Sequence, residues 1–272
     1  MRGTLHVEQG YEKLMSFVDA RHPFESVCEF FGFQMDDRPG RRSKVVRSVL
    51  LNSDGEDVPV YFKLYGYGTL RRSVSRVLKK SRSAGEFRNL QFFRELGIPA
   101  CEPLMQGEYR NGLGLLKNCL IVTREIVGTE SLDRFIPVFQ AGADSDEVKR
   151  GIRRQIIESL AANLRKIHER RFYHEDLKWR NVLVRRVGEE GAEVEVFWID
   201  CPNGYFDRTG GLRRKHGVVK DIATLDHLAW RNCTDEERRY FLSCYLGVPE
   251  ESEELRRFGD AVVAYRKRRL DD

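Results

Sequence analysis

The sequence predicts an α+β fold of two lobes, β-rich in its first part and mainly helical in its second. Three observations predict it. Two runs rich in β-branched and aromatic residues, Lys44 to Leu51 and Val58 to Tyr65, flank the turn-like Asn52-Ser53-Asp54-Gly55. Ile152, Ile156, Leu160, Leu164 and Ile167 recur at helical spacing and give an amphipathic helix ending near His168. Between that helix and a β-like run lies a polar loop, Tyr173 to Val184, carrying a carboxylate, an ammonium and an amide within six positions.

The remaining elements follow in order. A helix is expected from Ala84 to Leu96, with Ser83 and Glu86 fitting an S-x-x-E capping box and Gly97 and Pro99 marking its end. Glu108 to Arg110 and Leu120 to Glu125 read as further strands. After the polar loop come a short strand pair ending at Asp200 and helices from about Asp221 to Lys267. Residues 1–126 form the expected first lobe, with a basic insertion at 68–83, and residues 127–272 the second. The expected pocket lies at their seam.

Composition narrows the class. Apolar residues make up 41% and charged residues 33%, as in a folded soluble domain rather than a disordered chain. The net charge of +5 is mild, so the placement of the charges matters more than their sum. Six scattered cysteines show no CxxC pair and no zinc spacing, which implies reduced thiols in a cytoplasm. The first residues lack the apolar core of a signal peptide, and no run approaches the roughly 20 apolar residues of a transmembrane helix. A cytoplasmic protein is expected, with attachment to a membrane surface left open.

The polar loop suits phosphoryl transfer. Asp176 can accept a hydroxyl proton, Lys178 can neutralise the transferred group, and Asn181 can hold Mg²⁺. Asp200, ending the next hydrophobic strand, stands where a second metal ligand is wanted. Glu86, Leu90 and Phe93 share one helical face, and a carboxylate on an inward face needs a cation; Lys63 is the candidate. The alternative for Glu86 is the capping box with Ser83. No G-x-G-x-x-G occurs, and Pro39-Gly40-Arg41-Arg42-Ser43 is the nearest substitute, with Arg41 or Arg42 over the phosphates or merely in a basic turn. Leu70 to Arg82 reads either as a basic amphipathic helix for an anionic membrane or lipid, or as a solvated insertion. No aromatic–basic interleaving points to nucleic acid.

These residues resemble the protein-kinase-like fold. His174-x-Asp176-Leu177-x-x-x-Asn181 matches H-x-D-L-x-x-x-N, Lys63 sits at the strand lysine and Glu86 at its helix partner. Asp200 takes the place of the DFG aspartate, and Asp221 that of the helix aspartate bracing the catalytic loop. Within that fold the chain is most similar to the lipopolysaccharide core kinases of the Kdo/WaaP type. The cues are Arg21-His22-Pro23-Phe24-Glu25, Tyr61-Phe62-Lys63, the basic insertion, Glu86-Phe87-Arg88, Leu96-Gly97-Ile98-Pro99 and an Ile199-Asp200 without Phe-Gly. The resemblance implies ATP and Mg²⁺, an adenine site at the hinge near Glu125, and transfer to a heptose or Kdo hydroxyl on the cytoplasmic side of the inner membrane.

The departures are informative. Glu175 replaces the arginine of H-R-D that docks a phosphorylated activation loop; a carboxylate there repels phosphate and predicts an enzyme not switched on by loop phosphorylation. Pro202 argues against a DFG flip. Only about 20 residues separate Asp200 from Asp221, with no A-P-E, which favours a small or sugar acceptor over a peptide. Arg208, Arg213, Arg214 and Lys215 in that segment suit an anionic sugar. The alternatives are a protein or small-molecule kinase of the same fold, a pseudokinase scaffold, and a polyanion-binding module without catalysis.

Overall fold

The computed structural model describes residues 2–8, 11, 16–34, 43–52, 55–67, 80–135, 147–207 and 212–271. The chain divides into two compact units, Met1–Phe92 with Cys101–Val127, and Phe93–Ala100 with Gly128–Asp272. Arg41 and Arg42, residues 70–79 of the basic stretch, and Arg208 lie outside the described residues.

The first unit is built on β1 (Arg2–Val7), β2 (Lys44–Leu51), β3 (Asp57–Gly66), β4 (Pro103–Arg110) and β5 (Leu116–Arg124), in the antiparallel order β1-β4-β5-β3-β2. Strand alternation sorts β3 into two faces. Val58, Val60, Phe62 and Leu64 join the core with Phe24, Val27 and Phe31 around α1 (Pro23–Phe30), where Phe31 stacks on Phe62 at 4.6 Å. Lys63 and Tyr65 fall on the other face. Both β1 and α1 go unread in the sequence, although Pro23 in the first turn of α1 is a start signal.

Helix α2 (Arg82–Glu95) begins before the predicted Ala84, which corrects its cap. Ser81, not Ser83, caps it: Ser81 Oγ accepts the Ala84 N–H at 3.2 Å, and the Ser81 carbonyl accepts the Gly85 N–H. Ser83 is buried and donates to the Gly107 carbonyl at 3.3 Å. No capping box forms with Glu86, which lies in the second turn with its carboxylate turned inward. Gly97, at φ +66, ends the helix as expected.

The second unit contains β6 (Glu130–Ser131), α3 (Glu147–Glu169), β7 (Phe172–Tyr173), β8 (Val182–Val187), β9 (Glu193–Trp198), β10 (Tyr205–Phe206), α4 (Leu212–Asn232), α5 (Asp235–Leu246) and α6 (Glu253–Arg269). The predicted apolar stripe of α3, Ile152 to Ile167, is buried throughout, at roughly 1.5–3 kcal/mol for each large side chain. Strands β8 and β9 form an antiparallel hairpin with β6 on its edge, and β7 pairs with β10. The predicted helical start at Asp221 is corrected to Leu212. An apolar cavity of about 250 Å³ lies among α3, α4, α5 and α6, lined by Ile156, Leu160, Trp179, Leu225, Leu242 and Val262. No helix among the described residues is long and apolar enough to cross a membrane.

Candidate active site

In the first unit, Lys63 Nζ donates to Glu86 Oε1 at 2.9 Å, with the Glu86 side chain 1% exposed. Tyr65, two residues beyond Lys63 on the same face of β3, donates its Oη to Glu86 Oε2 at 2.5 Å. The inward carboxylate is thus matched to a cation and a hydroxyl. Breaking such a buried pair from one side costs roughly 3–5 kcal/mol, because the other charge is left desolvated. Sequence reasoning missed Tyr65, whose i+2 spacing from Lys63 was the available signal. Glu125, at the proposed adenine segment, pairs with Arg47 Nε at 2.7 Å, and its backbone N–H donates to Pro59. That pairing draws the Arg47 pKa up.

In the second unit, the end of α3 turns through Arg171 at φ +56 into β7, which leads to the loop. Leu177 is fully buried and Trp179 nearly so, with Trp179 Nε1 donating to the Leu225 carbonyl at 3.0 Å. The residues that alternate with these apolar anchors, Asp176 and Lys178, stay partly exposed. Lys178 Nζ lies 2.6 Å from Asp176 Oδ1. The loop closes in a 3₁₀ turn, Trp179–Asn181, whose last residue donates Nδ2 to the Asp176 carbonyl at 2.8 Å.

Asn181 and Asp200 stand at the same end of the β8–β9 hairpin, since the Ile199 N–H donates to the Asn181 carbonyl at 3.0 Å. Asp200 adopts φ +60. A non-glycine residue in that region stores of order 1–3 kcal/mol unless its surroundings hold it. Among the described residues no cluster of three His, Cys, Asp or Glu side chains is gathered for a metal. An Asn–Asp pair still fits Mg²⁺, which takes hard oxygen donors and completes its shell with waters and phosphate. With its amide nitrogen committed to Asp176, Asn181 presents Oδ1 as the donor.

Behind the loop, Asp221 is fully buried on α4. Its Oδ2 accepts the His174 N–H and its Oδ1 the Glu175 N–H, both at 2.7 Å. His168 Nε2 lies 3.2 Å from Asp221 Oδ2, and His168 Nδ1 lies 2.8 Å from Tyr245 Oη. Glu175 itself adopts φ +72, and its carboxylate pairs with Lys220 Nζ. The sequence flagged Asp221 but not His168, Tyr245 or Lys220; their partners lie far away along the chain.

His174 is wholly buried, its ring parallel to Phe93 at 5.8 Å and edge-on to Trp198. Among the described residues neither ring nitrogen has a hydrogen-bond partner. Burial holds its pKa below the usual range, against the pull of Asp221, Asp176 and Asp200. Such an aromatic setting suits a prop for the loop.

Residues 36–245 match the model of the "Lipopolysaccharide kinase (Kdo/WaaP) family". Comparison with curated proteins gives no match. Among solved structures the chain is similar to "WaaP in complex with acyl carrier protein", with a TM-score of 0.65 and 18% identity over 97% of each chain. That likeness establishes a kinase-like α+β fold, and the matched region spans the strand lysine, the loop and Asp200. The chain belongs to the lipopolysaccharide kinase (Kdo/WaaP) family.

Proposed function

We propose that this protein transfers the γ-phosphoryl group of ATP to a hydroxyl of a lipopolysaccharide inner-core sugar, a heptose or Kdo. The observation that carries the reading is the loop. Asp176 stands beside the Lys178 ammonium at 2.6 Å, and Asn181 is tied to the carbonyl of Asp176 itself. In this reading Asp176 accepts the proton as the sugar oxygen bonds to the γ-phosphorus, the bond to the β–γ bridging oxygen breaks, and ADP departs. Lys178 offsets negative charge on the transferred group. Lys63, positioned by Glu86, engages the α- and β-phosphates, while the segment at Glu125 meets the adenine and Arg41 or Arg42 covers the phosphates. Asn181 and Asp200 would hold Mg²⁺, which neutralises phosphate charge when bound.

The basic stretch Leu70 to Arg82 is proposed to meet the anionic surface on which a lipid-linked acceptor resides, at the cytoplasmic face of the inner membrane. The arginines at 213 and 214 and the lysine at 215, now on the first turn of α4, are proposed to favour an anionic sugar.

Purified protein incubated with labelled ATP and core lipopolysaccharide from a kinase-deficient strain tests this. Mass spectrometry should find the phosphate on an inner-core sugar, and Asp176→Asn should lower turnover by about 10²–10⁴-fold. Label on protein alone, or full activity in Asp176→Asn, would defeat the proposal.

A further inference from the structure

Glu175 is the residue before the proposed base, and it holds a left-handed backbone at φ +72 that a glutamate rarely adopts. Such a conformation persists where the surroundings fix it from several directions. Here two consecutive residues of α4 do so. Asp221 Oδ1 takes the Glu175 N–H at 2.7 Å, and Lys220 Nζ takes the Glu175 carboxylate. The ion pair is mostly sheltered, with side-chain exposures of 27% for Lys220 and 21% for Glu175, so solvent screens it less than a surface pair. The Glu175 side chain, its backbone and thereby the φ that aims Asp176 are all referred to one helix.

We propose that Lys220 is a positioning residue: its pair with Glu175 locks the catalytic loop permanently in its working conformation. The inference rests on the kinase reading above and deepens it. In the related fold the residue before the base is an arginine that waits for a phosphate on another segment. Here the charge at that position is reversed and its partner is a lysine built into the helix next to Asp221. The loop needs no covalent modification to be held.

The test compares wild type with Lys220→Met, Glu175→Gln and the exchanged pair Glu175→Lys with Lys220→Glu. Phosphotransfer and the hydrogen exchange of the Glu175 amide are read in each. Both single variants should lose about 10- to 100-fold in kcat, the scale of a slight misplacement of a catalytic group, with KM for ATP within about twofold. The exchanged pair should recover at least about tenfold over the worse single variant. The Glu175 amide should exchange faster in both single variants and slow again in the exchanged pair. Should Lys220→Met fail to fold, Glu175→Gln removes the same pair while keeping the shape of its side chain.

Wild-type kcat and unchanged amide exchange in Glu175→Gln would overturn the proposal, as would single variants that the exchange of charges does not rescue. A wild-type protein that transfers no phosphate at all would instead defeat the kinase reading. The amide exchange then still decides whether the pair fixes the loop.

Discussion

His174 is a motif residue whose surroundings disfavour its charged form. Its ring sits between Phe93 and Trp198 with neither nitrogen partnered among the described residues, and burial depresses its pKa. An unfolded histidine titrates near about 6.5, above the folded value. Between those two values the unfolded chain binds a proton that the native chain refuses. Stability is therefore fully present above about pH 6.5 and falls as the pH drops through it towards the folded pKa. His174→Phe keeps an aromatic ring and removes the titrating group. Urea midpoints measured from about pH 7.5 down to 5 should decline less steeply in the variant than in wild type. An identical decline in both proteins would assign the acid sensitivity to other groups.

Helix α4 shows the same dependence on shape at the scale of an element. Gly217 is buried on it, and a Cβ there would stand 2.5 Å from the Tyr173 ring. Glycine inside a helix costs about 1 kcal/mol relative to alanine, so propensity alone favours Gly217→Ala. Packing argues the opposite way. Tyr173 immediately precedes the loop, and Lys220 and Asp221 follow Gly217 at i+3 and i+4 on the same helical face. A methyl group would push α4 from β7 and carry both loop ligands with it. Gly217→Ala should lose about 1–3 kcal/mol in urea denaturation and fall in turnover together. An alanine variant more stable than wild type would refute the close-packing argument. This glycine also explains why the helical start is expected only at Asp221: as a helix breaker by composition it hides the stretch from Leu212 to Lys220. Ser81 and Ser83 mislead likewise. Both are serines ahead of a helical pattern, and only tertiary burial sends Ser83 to Gly107 and leaves the cap to Ser81.

Across the whole chain, the legible features were those written in short-range spacing: the β2–β3 hairpin, the stripe of α3, the Asp176 loop and the carboxylate of Glu86 on an inward face. The illegible ones join residues far apart in sequence. Lys220 meets Glu175 across 45 positions, and Asp226 meets Arg266 across 40. Nothing in local periodicity encodes such pairs. The second case supplies the most exacting test of what holds the helical unit together. Asp226 on α4 receives Arg238 of α5 through Nε at 2.7 Å and Nη2 at 3.1 Å, and Arg266 of α6 through Nη1 at 2.7 Å. Arg266 is only 4% exposed, so it has little access to water if its partner goes. Asp226→Leu should therefore cost roughly 1.5–3 kcal/mol, since both guanidinium groups lose their shared buried partner while Arg238 keeps Asp235 at 2.9 Å and Arg266 keeps Asp271 at 3.2 Å. Replacing all three, Asp226→Leu with Arg238→Met and Arg266→Met, removes the under-paired guanidinium groups along with the clamp and should recover part of that loss. Equilibrium denaturation of the two variants beside wild type reads both steps. If the single variant were as stable as wild type, the three helices would be held by their apolar contacts alone. If the triple variant were no better than the single, the loss would come from packing around the substituted side chain and not from the lost pairing with Asp226.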